Sequence, residues 1–160
     1  MNGARYLSCA ETAKALRVAL GDGFPGVKFS VRSSTYSGGA SISVGWTDGP
    51  RSAAVQRLTE KFEGATFDGM NDLKSHHEST LNGEPVQFGA DFIFCSRAIS
   101  DFEAKVTAAR AMIEQQCHVE GGFFGGHPVN NLARGMAHDC DPDGSLDGAF
   151  ARVVLREDRP

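Results

Sequence analysis

The stretch that decides the fold is FPGVKFSVRSSTYSGGASISVGWTDGP, residues 24–50. Apolar residues occupy every second position in two runs of this stretch: Val27, Phe29 and Val31, then Ala40, Ile42, Val44 and Trp46. This period-two alternation predicts two strands, each with one buried and one solvated face. The small polar residues and paired glycines of Ser33–Gly39 predict a loop between them. The stretch is therefore interpreted as a β-hairpin.

The solvated positions of this hairpin carry cations and hydroxyl groups but no carboxylate. They are Lys28, Ser30, Arg32, Ser41 and Ser43, with Tyr36 in the predicted loop. Open sheet faces of nucleic-acid-binding modules use such groups, together with stacked aromatic rings. Tyr36 is the one aromatic residue that the sequence places there. An ordinary solvated strand face, with no ligand, is the alternative.

Length, composition and charge narrow the class of protein. The chain has 160 residues, of which 41% are hydrophobic, and a net charge of -4. No apolar run approaches the roughly 18 residues of a membrane helix, and the N-terminus lacks a signal peptide's apolar core. We therefore expect a soluble cytoplasmic protein that does not bind membranes. The net negative charge argues against general attraction to nucleic acid, although local contact at the hairpin stays open.

Three helices are predicted from capping and periodicity. Ser8 and Glu11 form a Ser-x-x-Glu capping box at the start of the first helix, and Ser100 and Glu103 form another at the third. The second helix carries apolar residues at helical spacing from Val55 to Phe62. Each helix offers one apolar stripe, so each needs a sheet or another helix to cover it.

A second hairpin is predicted around Asn82-Gly83, the strongest two-residue hairpin turn. Its return strand alternates over residues 86–95, and its outgoing strand, residues 72–81, is polar on both faces. The element order α-β-β-α-β-β-α predicts an α+β fold, a two-layer sandwich with helices on one face of an antiparallel sheet of two hairpins. Residues 1–117 form the core domain. The Gly- and Asp-rich residues 118–160 form an appendage, with a last short strand from Ala149 to Leu155.

Several motifs together resemble a known domain family. They are Tyr6-Leu7-Ser8, the run from Phe24 to Ser33, Tyr36 to Ile42, Trp46 to Pro50, Phe67 to Met70, and Phe92 to Arg97. Over roughly residues 5–118 the chain resembles a large polyvalent protein-associated domain, the type numbered 29. The resemblance implies a protein of a phage or conjugative element, a setting in which some proteins accompany incoming DNA and blunt host defences. It implies no catalytic residues.

Four histidines and cysteines late in the chain are candidate metal ligands. Cys117, His118, His138 and Cys140 offer two thiols and two imidazoles, but their spacing matches no standard zinc finger. The adjacent His76 and His77 point to opposite faces of a strand, and this favours surface histidines over a shared metal. The four cysteines form no CxxC pair. The sequence therefore predicts no metal and no cofactor.

Late in the chain, DCDPDGSLD places four carboxylates close together: Asp139, Asp141, Asp143 and Asp147. Alternate carboxylates followed by a glycine resemble a calcium loop, but Pro142 and the missing terminal glutamate spoil the match. A polar turn is favoured. The alternative is an acidic binding patch that mimics DNA phosphates or attracts a basic protein surface.

The chain shows no GxSxG or HExxH motif and no paired-carboxylate signature, and this favours a non-enzymatic protein. The first hypothesis is an interaction protein of a phage or mobile element. It would bind a host or element-encoded protein, plausibly to counter a defence such as CRISPR or restriction. The alternative is a module that binds single-stranded nucleic acid on the open sheet face.

Overall fold

The structure, a computed structural model, describes residues 3–68, 73–76 and 79–156. The chain divides into two compact units, the first comprising residues 1–46 and 52–96, the second residues 47–51 and 97–160. The predicted α+β class is confirmed, because both helices and small mixed sheets are present. The predicted domain boundary after residue 117 stays a prediction.

The elements follow one another along the chain in short segments. The strands are β1 Arg5–Leu7, β2 Ser30–Tyr36, β3 Gly39–Thr47, β4 Ala65–Asp68, β5 Leu73–His76, β6 Ser79–Leu81, β7 Glu84–Phe88, β8 Phe92–Ala98, β9 Phe123–Phe124 and β10 His127–Pro128. The helices are α1 Cys9–Gly23, α2 Ser52–Thr59, a 3₁₀ turn Glu60–Phe62, α3 Phe102–Gln116, α4 Val129–His138, α5 Asp147–Ala149 and a π-helix Phe150–Leu155. None of the described helices is both long enough and apolar enough to cross a membrane.

The predicted hairpin is present, but its loop is much shorter than predicted. β2 and β3 pair antiparallel all the way to Tyr36 and Gly39, leaving only Ser37 and Gly38 as the turn. Gly38 has a φ of 89°, which a glycine adopts without strain. The prediction of a loop over Ser33–Gly39 was therefore wrong. Its serines and threonine are strand residues, because one positive-φ glycine is enough to reverse the chain.

A three-stranded sheet forms around this hairpin in the order β2-β3-β8. The Asp91 N–H donates to the Ala40 carbonyl at 2.8 Å, and the Ser96 carbonyl lies beside Gly45. Since both chain segments advance in the same direction between these contacts, β8 runs parallel to the central strand β3. β8 is thus the third strand of this sheet, whereas the sequence predicts its first residues in the second hairpin.

One face of this sheet packs against α1 and α2. Buried residues of the first core come from these helices, the 3₁₀ turn, the sheet, β1, β7 and the link after β7: Leu7, Cys9, Ala13, Leu16, Leu20, Val31, Ala40, Ile42, Val44, Trp46, Val55, Phe62, Val86, Phe88, Ala90 and Ile93. The predicted capping box at the start of α1 is confirmed. Ser8 Oγ accepts the Glu11 N–H at 3.2 Å, and the Glu11 carboxylate accepts the Ser8 N–H at 2.9 Å. The bond from Ser8 holds the pKa of Glu11 below its usual value.

A second sheet has the order β1-β7-β6. The hairpin at Asn82-Gly83 is confirmed, since β6 and β7 pair antiparallel on either side of this turn. β1, which the sequence did not reveal, pairs parallel with β7. The outgoing strand of this hairpin includes Asp72 and His77, which lie outside the described residues, so the interpretation of His76-His77 stays a prediction.

The predicted return strand over residues 86–95 is two strands in different sheets, β7 and β8. Gly89 separates them at a point where a Cβ would lie only 2.5 Å from the Leu7 carbonyl oxygen. Two residues later, Asp91 Oδ2 accepts the Ala40 N–H at 3.0 Å. The chain thus leaves β1 and joins β3 within three residues. For this reason the hairpins form separate small sheets rather than one antiparallel sheet.

The second unit is mainly helical. Its core is formed by Val106, Ala109, Ile113, Val129, Ala133, Met136, Ala137, Ala149, Phe150 and Val154. The third helix therefore belongs to this core and not to the core of the first unit. The predicted strand from Ala149 to Leu155 was wrong. That segment is helical, because Phe150 and Val154 are buried one helical turn apart against α4.

Two further local predictions concern the start of α3. The capping box of Ser100 and Glu103 does not form, because the helix begins at Phe102 with Asp101 at the cap and no side-chain cap bond. The Ser100 N–H instead donates to the Asp48 carboxylate at 2.9 Å. Hydrogen bonds from the Ser100 side chain and from this N–H lower the pKa of Asp48. A residue distant in the sequence therefore holds the chain just before the helix.

Candidate functional site

The solvated face of the β2-β3-β8 sheet is the strongest candidate site. Residues directly opposite in an antiparallel pair project to the same face, and Arg32 lies opposite Ser43, Ser34 opposite Ser41, and Ser30 opposite Gly45. We define the open face by ten residues: Ser30, Arg32, Ser34, Tyr36, Ser41, Ser43, Gly45, Phe92, Phe94 and Ser96. Lys28, exposed just before β2, flanks it.

Two phenylalanines on β8 add an aromatic surface to this face, on which the sequence predicts Tyr36 alone. Phe92 and Phe94 are 37% and 60% exposed, whereas Ile93 between them is 8% exposed. Their ring centroids lie 6.2 Å apart with an angle of 28° between the ring planes. A side-by-side pair of exposed rings on one strand is the kind of platform on which bases stack.

The alternation over residues 86–95 predicts Phe92 and Phe94 on the buried side of one long strand, and for that reason they are absent from the predicted site. Their neighbours Ile93 and Cys95 are also apolar, so the strand carries no clear alternation to show which side is buried. The break at Gly89–Asp91 changes which alternate positions of the chain are buried, and Ile93 is therefore buried after it. The sequence does carry one signal for this arrangement. The run of consecutive apolar residues indicates a strand with apolar side chains on both of its faces.

The open face is arranged in rows across its three strands. Asp91 lies beside Ala40 and Ser96 beside Gly45, so residues of β8 and β3 that differ by 51 in number are neighbours. Combined with the pairing of β2 and β3, this register produces three rows. They are Ser34–Ser41–Phe92, Arg32–Ser43–Phe94 and Ser30–Gly45–Ser96. The face therefore has aromatic rings on one edge strand, small residues along the middle, and a cation on the other edge strand.

The charge on the open face is positive. Lys28 and Arg32 are exposed, and none of the ten defining residues is acidic. Two carboxylates border the face. Glu63, partly buried, accepts the Ile93 N–H of β8 at 2.9 Å. Asp91, at the end of the face, is only 7% exposed and accepts the Ala40 N–H. Tyr36, 52% exposed, lies over Gly39 at the same end. A face with two cations and three exposed aromatic rings is suited to phosphate and to flat aromatic groups.

All six residues predicted for this site are brought to one region of the first unit. Lys28, Ser30, Arg32, Tyr36 and Ser43 are exposed, and Ser41 is partly buried. Tyr36 lies in β2 rather than in a loop, and its position opposite Gly39 puts it on the same face as Arg32. The role of these residues in binding stays a prediction.

The four predicted acidic residues lie in the second unit, where two of them are paired with arginines. Asp139 contacts Arg51 at 3.0 Å and Arg152 at 2.6 Å. Asp141 contacts Arg152 at 2.9 Å. Burial acts to raise the pKa of Asp141, but bonds from Arg152, the Gly148 N–H and Ser145 lower it below its usual value. These two negative charges are balanced by cations of the same unit, which weakens the hypothesis of an acidic docking patch.

The other two acidic residues are exposed. Asp143 accepts the Ser145 N–H at 2.9 Å, a turn contact that lowers the pKa of Asp143. Asp147 begins the short helix α5. The segment therefore forms an ordered polar turn, in agreement with the interpretation that the sequence favoured over a calcium loop. A binding role for the four carboxylates stays a prediction.

The metal-ligand candidates do not converge in the part of the chain that the structure describes. No group of three or more His, Cys, Asp or Glu residues there could hold a metal ion. The His138 ring packs on the Phe102 ring with centroids 4.5 Å apart, and Cys140 is 1% exposed. Burial raises the pKa of the Cys9 and Cys95 thiols, which makes them poor nucleophiles.

Two shallow cavities of the second unit offer little chemistry. One of about 250 Å³ is lined by Asp48, Ser100, Asp101, Lys105, Pro142, Asp143 and Gly144. Its Lys105 already donates to the Gly144 carbonyl at 3.1 Å, and its Asp48 carboxylate already accepts the Ser100 N–H at 2.9 Å. The other, about 230 Å³, is lined by Phe124, Gly125, His127, Leu132, Val154 and Arg156.

Comparison with known proteins finds one family. The model of the large polyvalent protein associated domain 29 matches residues 7–100, more than half of the chain. This range contains the whole open face. No curated protein and no solved structure matches the chain.

Proposed function

The chain belongs to the large polyvalent protein associated domain 29 family, and on that premise we propose that it binds single-stranded nucleic acid. The family points to a protein associated with a phage or another mobile element. The single observation that carries the proposal is the exposed pair Phe92 and Phe94 on the same face as Arg32.

Stacking supports the proposal first. Exposed aromatic side chains are costly to leave in water, and three of them occur on one sheet face of a small unit: Tyr36, Phe92 and Phe94. Base stacking on such rings contributes about 1–3 kcal/mol per base and tolerates any base. The serines between the rings and the cation add hydrogen-bonding groups that can meet sugars or base edges.

Charge supports the proposal second. The chain carries a net charge of -4, yet the open face and its flank carry Lys28 and Arg32 and no acidic residue. Phosphate groups are the natural complement of such a local cationic surface. With only two cations, stacking must supply much of the affinity, so binding is expected to depend weakly on salt.

The proposal is tested by fluorescence anisotropy with a short labelled oligouridylate. We expect Phe94→Ala to weaken binding about 5- to 150-fold, the equivalent of about 1–3 kcal/mol for one stacked base. Phe123→Ala, which removes another exposed ring (50%, against 60% for Phe94) in the other unit, is the matched control and should leave binding unchanged. Absence of binding at low salt, or full binding by Phe94→Ala, would refute the proposal.

Charge reversal provides a second test of the same proposal. Two phosphate contacts give a plot of log affinity against log salt concentration a slope of about -1.4 for a single strand. Arg32→Glu should weaken binding and reduce that slope, as should Lys28→Glu. Lys14→Glu, at an exposed position on α1, changes the net charge by the same amount and should leave the slope near the wild-type value.

Binding to a protein remains a second proposal. The family membership and the exposed aromatic rings support it, because aromatic residues are enriched at protein interfaces. The partner would be a host or element-encoded protein, and the role would be to counter a host defence in the cytoplasm. A pull-down with wild-type protein and with Phe92→Ala/Phe94→Ala as bait tests this proposal. A partner retained equally by both baits would show that the open face does not bind it.

A further inference from the structure

We propose that the open face selects RNA over DNA, with the Ser43 hydroxyl contacting the ribose 2′-hydroxyl. This inference rests on the proposed function, since it concerns the same face. It starts from the row Arg32–Ser43–Phe94, in which a cation, a hydroxyl and an aromatic ring follow one another across neighbouring strands.

The row has the chemical order of a nucleotide. Neighbouring strands lie about 4.8 Å apart, so the Arg32 and Phe94 backbones are about 10 Å apart with Ser43 midway. A nucleotide presents phosphate, sugar and base in that sequence. When the phosphate meets Arg32 and the base stacks on Phe94, the sugar lies over Ser43. A serine hydroxyl both donates and accepts, and it therefore matches the 2′-hydroxyl, the group by which proteins distinguish RNA from DNA.

The middle strand leaves room for the sugars. Its open-face positions are Ser41, Ser43 and Gly45, all small, so the face has a trough between its two edge strands. The adjacent row Ser34–Ser41–Phe92 repeats the same order with a hydroxyl in place of the cation. The nucleic-acid strand would therefore lie along β3, with its phosphates towards β2 and its bases towards β8.

The spacing of the rows favours an unstacked strand. Phe92 and Phe94 are two residues apart, about 6.6 Å along the strand. Nucleotides in a duplex strand follow one another every 3.4 Å or so, which is about half of this spacing. Two consecutive bases can each reach a ring only when they are separated from one another. Sequence-tolerant recognition of this kind targets single-stranded segments whose bases are splayed out.

The test compares two labelled oligonucleotides that differ only in the 2′-hydroxyl, an oligouridylate and the matching oligodeoxyuridylate. We expect wild-type protein to bind the RNA about 2- to 10-fold more tightly, the net effect of one hydrogen bond. Ser43→Ala should lower RNA affinity to the DNA value and leave DNA affinity unchanged. Ser37→Ala, in the exposed hairpin turn, is the matched control and should retain the full preference.

The possible outcomes separate the two proposals. Equal binding of RNA and DNA by wild-type protein refutes the RNA preference and leaves the proposed function standing. Equal weakening of both ligands by Ser43→Ala also refutes it, since that result places the hydroxyl on a group that both ligands share. Absence of binding to either ligand refutes both proposals. Because Ser43 is exposed, thermal unfolding of Ser43→Ala should match wild type and exclude misfolding as the cause.

Discussion

Gly45→Val should make the first unit more stable while it blocks the open face. Gly45 lies in the middle of β3, where an added Cβ would meet only the Ser96 carbonyl at 3.9 Å and Ser30 Cβ at 4.0 Å. Both are ordinary van der Waals contacts. Glycine inside a strand costs about 0.5–1 kcal/mol relative to alanine, and valine is preferred in strands. We expect the free energy of unfolding to rise by about 1 kcal/mol.

The same substitution should weaken nucleic-acid binding. The valine side chain would project into the trough beside the row Arg32–Ser43–Phe94. It would keep the nucleic-acid strand away from the Phe94 ring. Loss of one stacked base costs about 1–3 kcal/mol. At about 1.4 kcal/mol per factor of ten, the dissociation constant should increase about 5- to 150-fold. Stability and binding thus change in opposite directions, which a general folding defect cannot produce.

Denaturant unfolding followed by the fluorescence of the buried Trp46, together with anisotropy, measures both quantities on the same samples. Gly21→Ala is the matched control. Gly21 is exposed in α1, and an added Cβ would meet nothing within 4 Å, so it should gain about 1 kcal/mol of helix stability without loss of binding. A Gly45→Val protein that is stabilised yet binds as tightly as wild type would refute the placement of the ligand in the trough.

Two further predictions concern the fold. Gly89→Ala should destabilise the first unit by about 1–3 kcal/mol, since the new Cβ would lie 2.5 Å from the Leu7 carbonyl; urea unfolding that matches wild type would contradict this close approach. The lowered pKa of Asp141 should stabilise the second unit above pH of about 4, the value for an unfolded Asp, with loss as pH falls through the folded pKa. Asp141→Asn should therefore melt at a lower temperature than wild type at neutral pH, with the gap closing in acid; a constant gap would disprove the linkage.

Local patterns in the sequence predicted several elements correctly. The alternation in residues 24–50 identified the hairpin, Ser8 and Glu11 identified the start of α1, and Asn82-Gly83 identified a turn. Each of these depends on residues at most a few positions apart, whose backbone geometry is largely independent of the rest of the chain. The exposed cations of the candidate site were found in the same way, because polar positions of an alternating strand face solvent.

Contacts between distant residues decided the rest. Phe92 and Phe94 are flanked by apolar residues on both sides, so only the packing of β8 against β3 determines that Ile93 is buried and the two rings are exposed. The ion pair of Arg51 with Asp139 joins residues 88 positions apart, and no local sequence pattern predicts it. The sequence by itself thus determined the hairpin and its polar, cationic side, because alternation and turn chemistry act within a few residues. Only the tertiary structure determined that Phe92 and Phe94 lie on the same face as these cations. The reason is that β8 is apolar on both faces, so the face that becomes buried depends on the elements against which it packs.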